Sequence, residues 1–413
     1  MVSNCASETT TSSDAGPLSG YRILELGHYI AAPFASRLLA DMGADVIKIE
    51  SPKGDPVRLW GAQLEGDSIW WSVHGRNKRS ITLNLKAPEA KEILSGLLSE
   101  CDAVIENFRA GQLAGMGYDD AFFKACNPDI VICHISGFGQ TGPKAQSACF
   151  GVIGEALGGL RYLTNHAKGT TDLPPVRVGV SIGDSVAGLY AALGVVASLA
   201  SRNPGTSRVV DVALTEAVLS LLEGTVPEYG KIGKVREPSG GRIPTAAPSN
   251  AFPTRDGAWV IIAANSDHLF TRLCDLMNKP ELASDQRYTD NSERCRNVDS
   301  LEEAISAWTR GVDAEALEAS LEAADIPTCR VYRAPEIVAD EQYRAREMIL
   351  DVDDPILGSV LHPAPVPCFS GTSRRKQVRW AGPSVGQHNE EIYRDMLNMS
   401  SKSLESLQRG GVI

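Results

Sequence analysis

The sequence predicts an α/β chain: a large unit built on a mostly parallel sheet, followed by a smaller α+β unit. Three observations carry this. Strand-like and helix-like stretches alternate from Tyr21 to Ile135, a Pro-, Gly- and Lys/Arg-rich stretch at 228–248 breaks the pattern, and a hairpin with helical stretches follows. At roughly 150 residues per domain, the 413 residues fit two to three domains. Residues 22–26 read as the first strand. Residues 33–42 read as a helix, with Pro33 in its first turn and Gly43 just past its end. Residues 45–50 are the next strand, which completes a βαβ unit with a right-handed crossover. A strand at 80–85, a helix at 88–98 and strands at 102–106 and 130–135 extend the sheet. The most apolar helical stretch, 188–200, is shorter than the roughly 20 residues that span a bilayer. Beyond the linker at 228–248, residues 250–253 and 258–263 flank the turn Thr254-Arg255-Asp256-Gly257 as a hairpin. Helices are expected at 268–277, 301–308 and 314–324, and a last one at 389–397. The division is a disordered tail at 1–20, a large domain at 21–227, a linker at 228–248, a small domain at 249–343 and a return segment at 344–413.

Composition narrows the function classes. Hydrophobic residues make up 43% and charged residues 22%, ordinary globular values that exclude wholesale disorder. Forty basic against 51 acidic residues give a net charge of −11, which disfavours nucleic acid and anionic membrane as partners. Nine cysteines, at 5, 101, 126, 133, 149, 274, 295, 329 and 368, form no C-x-x-C pair. That spacing argues against a disulfide framework or a zinc site, so no metal is expected, and each cysteine reads as a small buried hydrophobe. The first twenty residues are Ser/Thr-rich without Arg or Lys, unlike a signal or transit peptide, and the final Gly-Gly-Val-Ile is no peroxisomal address. Cytoplasm is the expected compartment, with the mitochondrion as alternative.

Three short motifs compete. Residues 137–142 spell G-x-G-x-x-G, but Pro143-Lys144 follows in place of a helix start, so a Gly-rich turn lining a cleft is the better reading than dinucleotide binding. Residues 179–183 spell G-x-S-x-G, which nominates Ser181 as a hydrolase nucleophile with His268, His362 or His388. Asp184 follows at the head of an apolar helix. An aspartate there is a favoured N-cap, and the same helix end keeps a carboxylate ionised as an accessible nucleophile.

Several segments decide between these readings. Residues 17–58, Gly75-Arg76-Asn77-Lys78-Arg79 with the strand after it, Val104-Ile105-Glu106-Asn107-Phe108-Arg109, Ile135-Ser136-Gly137-Phe138-Gly139, 178–199, 249–265 and the C-terminal 386–397 with the final 410–413 resemble, in order, the family III CoA-transferases. This family includes formyl-CoA, carnitine and succinyl-CoA:dicarboxylate transferases and the α-methylacyl-CoA racemases. The resemblance implies a Rossmann-like large domain, a smaller α+β domain, and a homodimer whose subunits interlock. It makes Asp184 the covalent nucleophile. It places His28, Ala31, Arg76, Lys78, Arg79, Asn107, Phe108 and Arg109 along a groove for coenzyme A, which is substrate rather than permanent cofactor. Gly183, Gly240 and Gly241 become candidates for binding developing oxyanions, and Arg242 for the acceptor's second carboxylate.

Departures refine the branch. Phe150 stands where racemases carry a proton-transferring histidine, which argues against racemisation. Ile30 and the Gly240-Gly241-Arg242 loop depart from the formyl-CoA/oxalate pattern, and 242–248 is similar to the succinyl-CoA:dicarboxylate branch. The expected reaction moves CoA from an acyl-CoA, with succinyl-CoA the favoured donor, to a small acid of the itaconate or glutarate type through an aspartyl anhydride and an aspartyl-CoA thioester. The rivals are a serine hydrolase using Ser181, an oxalate-type transferase and a non-catalytic CoA-binding protein.

Overall fold

A computed structural model describes residues 16–203 and 208–413. Six strands form one sheet: β1 (Arg22–Glu25), β2 (Asp45–Glu50), β3 (Lys78–Thr82), β4 (Ala103–Glu106), β5 (Val131–Ser136) and β6 (Val209–Ala213). Their order is β3-β2-β1-β4-β5-β6, and every pairing is parallel. This is the Rossmann order, which reverses between β1 and β4 and leaves a crevice at their carboxyl ends.

Alternation along the strands feeds two cores. Leu24, Ile47, Ile81, Val104 and Ile132 face α2 (Ala90–Ser99), Phe123 of α3 (Asp120–Cys126), and Ile392 and Tyr393 near the C-terminus. Ile23, Val46, Ala103 and Val131 face α1 (Ala31–Asp41) and the long helix at Ile182–Leu199. Gly43, at φ +103°, ends the chain's turn out of α1. The short helix α4 (Gly151–Leu157) precedes that long helix, α5 (Ile182–Leu199). By length and composition α5 is apolar enough to cross a membrane, with a mean hydropathy of 1.6 over 18 residues. It is thus longer than the expected 188–200 stretch. Here it packs Ala187, Ala191 and Val195 into the core.

The chain divides into two units. The first runs up to Leu160 and takes in Val178–Val226 and Glu341–Ile413; the second comprises Arg161–Arg177 and Pro227–Asp340. The second holds an antiparallel sheet of β7 (Ser249–Pro253), β8 (Trp259–Ala263) and β9 (Thr328–Arg330), in the order β9-β8-β7. Gly257, at φ +81°, makes the expected hairpin turn between β7 and β8. Phe252, Val260 and Ile262 pack on Leu273 of α6 (Asp267–Leu276), Ile305 of α7 (Val298–Thr309) and Leu317 of α8 (Ala314–Ala323). The first unit resumes with the hairpin β10 (Ile349–Asp354) and β11 (Gly358–Pro363), and ends on α9 (Ser401–Arg409).

Several expectations change. Of the expected tail, residues 1–15 lie outside the described residues, but 17–20 form a turn anchored by Leu18, which is buried and whose N–H donates to the Met42 carbonyl at 2.9 Å. Residues 228–248 are part of the second unit rather than a free linker, because Gly241 packs on Asn250 and Arg242 pairs with Glu302. Strand β6 and the helix α9 were not expected, and 391–396 is a wide turn of helix in place of the α-helix expected at 389–397. Cys329 and Cys368 are exposed, not buried.

Candidate active site

The site is built from the loops that leave the carboxyl ends of β1, β4 and β5. After β1 the chain turns at Tyr29, whose φ of +63° is a strained value for a non-glycine residue. Three hydrogen bonds hold that corner. The Tyr29 N–H donates to Asp55 Oδ1 at 3.1 Å. Asn107, after β4, accepts the His28 N–H on Oδ1 and donates from Nδ2 to the His28 carbonyl, both at 2.9 Å. This reciprocal pair bolts together the two loops that flank the sheet's switch point.

Between these loops opens a cleft of about 260 Å³ that brings together His28, Ala31, Asn107, Phe108, Arg109 and Asp184. Asp184 lies in the first turn of α5, while Ser181 holds the N-cap position that Asp184 was expected to fill. The positive end of α5 favours an anion at this point. Two glycines set the carboxylate's position. A Cβ on Gly151 would fall 2.0 Å from Asp184 Oδ2, and one on Gly183 would fall 2.9 Å from the Gly151 carbonyl. The heads of α4 and α5 approach closely because neither residue has a side chain. Gly183 is thus a packing glycine. The thiol of Cys149, which also lines the cleft, is pushed up by burial and by the Asp184 charge. Burial pushes the His28 imidazole down and so favours its neutral form, against the opposing pull of Asp55.

The basic run is elsewhere. Arg76 and Lys78 are buried, and Lys78 and Arg79 belong to strand β3. Arg76 forks onto Asp41 at 3.0 and 2.6 Å. Lys78 donates to Glu25 at 2.8 Å and to the Pro33 carbonyl at 2.7 Å. Arg79 pairs with Asp45 and Glu391. These cations neutralise buried carboxylates and tie α1 and the C-terminal segment to the sheet, so they are not the open phosphate patch expected from the sequence. Burial pushes the Lys78 ammonium down to about 8, although Glu25 pulls the other way. The exposed cations beside the clefts are Arg109 and Lys86. Lys86 lines a second cleft of about 300 Å³ that shares His28 and Phe108 with the first.

The remaining nominees lie in the second unit. Gly240 turns at φ +67°, and a Cβ on Gly241 would fall 2.5 Å from Asn250 Oδ1. The Arg242 guanidinium meets Glu302 and Asp299, each at 2.7 Å, so its charge is balanced within its own unit and it is not an open cation. The residues of the rival motifs have structural partners. His362 meets Ser72 at 2.9 Å, His388 accepts the Ser80 N–H at 3.1 Å, and His268 meets Ser266 at 3.1 Å, so each nominated base has a hydrogen-bond partner near it. In the 137–142 loop, the Asp211 carboxylate accepts the Gln140 N–H at 2.9 Å, so an acid faces the loop amides, and no helix begins before Gly151. That loop is a turn, with Gly137 lining the cleft.

Tyr29, Phe150, Ser136 and Lys86 were not nominated as site residues. Phe150 is 70% exposed and meets Tyr29 edge-on at 6.4 Å, and Ser136 ends β5 inside the cleft with its hydroxyl lacking a hydrogen-bond partner. The signal available for Ser136 and Lys86 was position: each stands at or just past the carboxyl end of a strand.

Comparison with known proteins assigns this arrangement. Residues 18–389 match the model of CoA-transferase family III. The succinyl-CoA–D-citramalate CoA-transferase of Chloroflexus aurantiacus is 44% identical over 402 residues, covering 96% of this chain and 98% of that protein. The succinate–glutarate CoA-transferase of Agrobacterium fabrum is 31% identical, covering 92% and 96%. The crystal structure of a CAIB/BAIF family protein from Brucella suis superposes with a TM-score of 0.82 at 31% identity, covering 92% of this chain and all of that one. A mixed α/β fold on a central parallel sheet, a carboxylate opening on its switch-point crevice and full-length similarity to these proteins together make the chain a member of the family III CoA-transferases.

Proposed function

We propose that the protein transfers CoA from succinyl-CoA to a small dicarboxylic acid, with Asp184 as the covalent carrier. The observation that carries the reading is the Asp184 carboxylate lining the crevice between the loops of β1, β4 and β5. In the first step an Asp184 oxygen attacks the thioester carbonyl. The C–S bond breaks, CoA leaves as thiolate, and a mixed anhydride joins Asp184 to the succinyl group. The thiolate then attacks the Asp184 carbonyl, which forms an aspartyl-CoA thioester and frees succinate. The acceptor carboxylate attacks that thioester, giving a second anhydride and the thiolate. The thiolate takes the acceptor acyl group, and Asp184 returns as carboxylate. One thioester replaces another, so the reaction is near thermoneutral, and water must be kept from both intermediates.

Coenzyme A would run along the two adjoining clefts that share His28 and Phe108, with Arg109 and Lys86 supplying cations for its phosphates. The acceptor class rests on relatives named for D-citramalate, L-malate and glutarate. It makes four- and five-carbon dicarboxylates, itaconate among them, the acceptors of choice. Assembly as a homodimer belongs to the same reading.

The test pairs succinyl-CoA with D-citramalate, L-malate, glutarate, itaconate and butyrate, and identifies product thioesters by mass. Dicarboxylates should be turned over and butyrate should not. Asp184→Ala should cost about a thousandfold or more in kcat, since it removes the nucleophile, while Ser181→Ala stays active. A Ser181-dependent, Asp184-independent thioester cleavage would return the hydrolase reading.

A further inference from the structure

Beside the Asp184 cleft lies a cavity of about 790 Å³, which shares Arg109 with it and is lined by Glu106 and His134. These two residues are buried, at 3% and 8% exposure, and neither touches Asp184's cleft. They form a chain. His134 Nε2 meets Asp120 Oδ1 on α3 at 3.0 Å, and His134 Nδ1 meets Glu106 Oε1 at 2.6 Å. The other oxygen of Glu106 accepts the N–H of Phe108 at 2.6 Å. A buried, charge-assisted hydrogen bond of that length fixes a backbone amide tightly.

The amide belongs to the wall between the two clefts. The Phe108 ring lines both, meets His28 edge-on at 5.3 Å, and is flanked by Asn107, which bolts the β1 loop, and by Arg109. We propose that Glu106 and His134 are positioning residues for coenzyme A: the imidazole orients the carboxylate, and the carboxylate holds the Asn107–Phe108–Arg109 turn in its binding conformation. The inference rests on the reading of these clefts as the CoA groove.

The charges are consistent with this role. Burial opposes a charge on His134, but the hydrogen bonds it donates to Asp120 and Glu106 outweigh it and lift the imidazole to about 9, so it is an imidazolium at neutral pH. Asp211 stands beside it on β6, and Arg109 and Asp119 line the same cavity. Glu106, whose carboxyl burial pushes up against the pull of His134, and the imidazolium beside it are withdrawn from water, with only Asp120 at the outer end of the chain partly exposed. Such a buried pair is costly to keep for stability alone. Delivering an oriented acceptor to Phe108 gives them a purpose.

The experiment measures the Kd for coenzyme A by titration calorimetry, kcat at saturating succinyl-CoA, and the thermal midpoint, for His134→Gln, Glu106→Ala, Glu106→Gln and Arg109→Ala. His134→Gln and Glu106→Ala should weaken CoA by about tenfold, the cost of one lost charged hydrogen bond, with kcat reduced no more than twofold or so. Glu106→Gln keeps an acceptor for Phe108 and should recover most of the affinity. A purely structural pair would lower the thermal midpoint and the active fraction but leave the Kd of the folded enzyme unchanged. That result, alongside a weakened Arg109→Ala, overturns the positioning role and leaves the groove reading standing. If Arg109→Ala also binds CoA normally, the groove reading itself falls, and the positioning role falls with it. Should Glu106→Ala fail to fold, His134→Gln and Glu106→Gln decide alone.

Discussion

Gly151 shows how one missing side chain sets a nucleophile's place. A methyl there would fall 2.0 Å from Asp184 Oδ2, and the atom it meets is the end of a rotatable side chain. The carboxylate would swing aside rather than the backbone moving. Gly151→Ala should therefore leave the thermal midpoint within a few degrees, since alanine is the better helix residue by about 0.5–1 kcal/mol. It should cut kcat at least tenfold or so, the effect of displacing a reacting atom by about 1 Å. Parallel thermal melts and turnover assays check this, and an alanine variant with wild-type kcat would separate Asp184's position from its chemistry. At this scale the sequence was informative wherever a residue's role depends on its neighbours in the chain. The local context of Asp184, a glycine before it and an apolar helix after it, offered both an N-cap and an ionised nucleophile, and the family resemblance favoured the second. Arg76, Lys78 and Arg79 misled because a row of cations reads alike whether it is solvated or buried. Their partners Asp41, Glu25 and Asp45 lie 35, 53 and 34 residues away.

Those same cations act between elements. Arg76 joins the turn before β3 to the end of α1 through Asp41, which also accepts from Asn77 at 2.9 Å, and the Arg76 guanidinium reaches the Pro363 carbonyl at the end of β11. Arg76→Ala would leave Asp41 charged, 3% exposed and deprived of its cation. Breaking such a buried pair should cost about 3–5 kcal/mol, read as a lower urea midpoint, while the Kd for coenzyme A of the folded fraction stays put. A stable variant with weakened CoA binding would instead restore the phosphate-patch role. Elements were legible where periodicity is strong: the βαβ start, the β7–β8 hairpin and the helices of the second unit follow from alternation, Pro33, Gly43 and Gly257. Strand β6 was missed because its Val-Val-Asp-Val-Ala pattern runs straight into the short helix at Leu214–Leu219, and edge strands bury too little to mark themselves. The inclusion of 161–177 in the second unit was missed because no local pattern announces which unit a connecting stretch will join.

At the scale of the whole molecule, several large apolar side chains stand in water in groups. Leu59, Trp60, Leu64 and Trp70 are 73%, 41%, 51% and 42% exposed, and the two tryptophan rings lie 6.5 Å apart. On α5, Leu189 and Leu193 are one helical turn apart and 56% and 63% exposed. Grouped exposed apolar side chains are a mark of protein interfaces, whereas a net charge of −11 by itself would keep copies apart. A homodimer that covers these side chains is the expected assembly, interlocked as the family resemblance implies. Subunits linked in that way separate only by opening the fold, so dissociation and unfolding become one event. Light scattering should give twice the 44.2 kDa chain mass down to nanomolar concentration, and the thermal midpoint should rise with protein concentration. Differently tagged preparations mixed at 25 °C should exchange subunits no faster than the protein unfolds. Exchange within minutes under native conditions would remove the interlock while leaving a dimer, and a folded 44.2 kDa species on dilution would remove the obligate dimer as well.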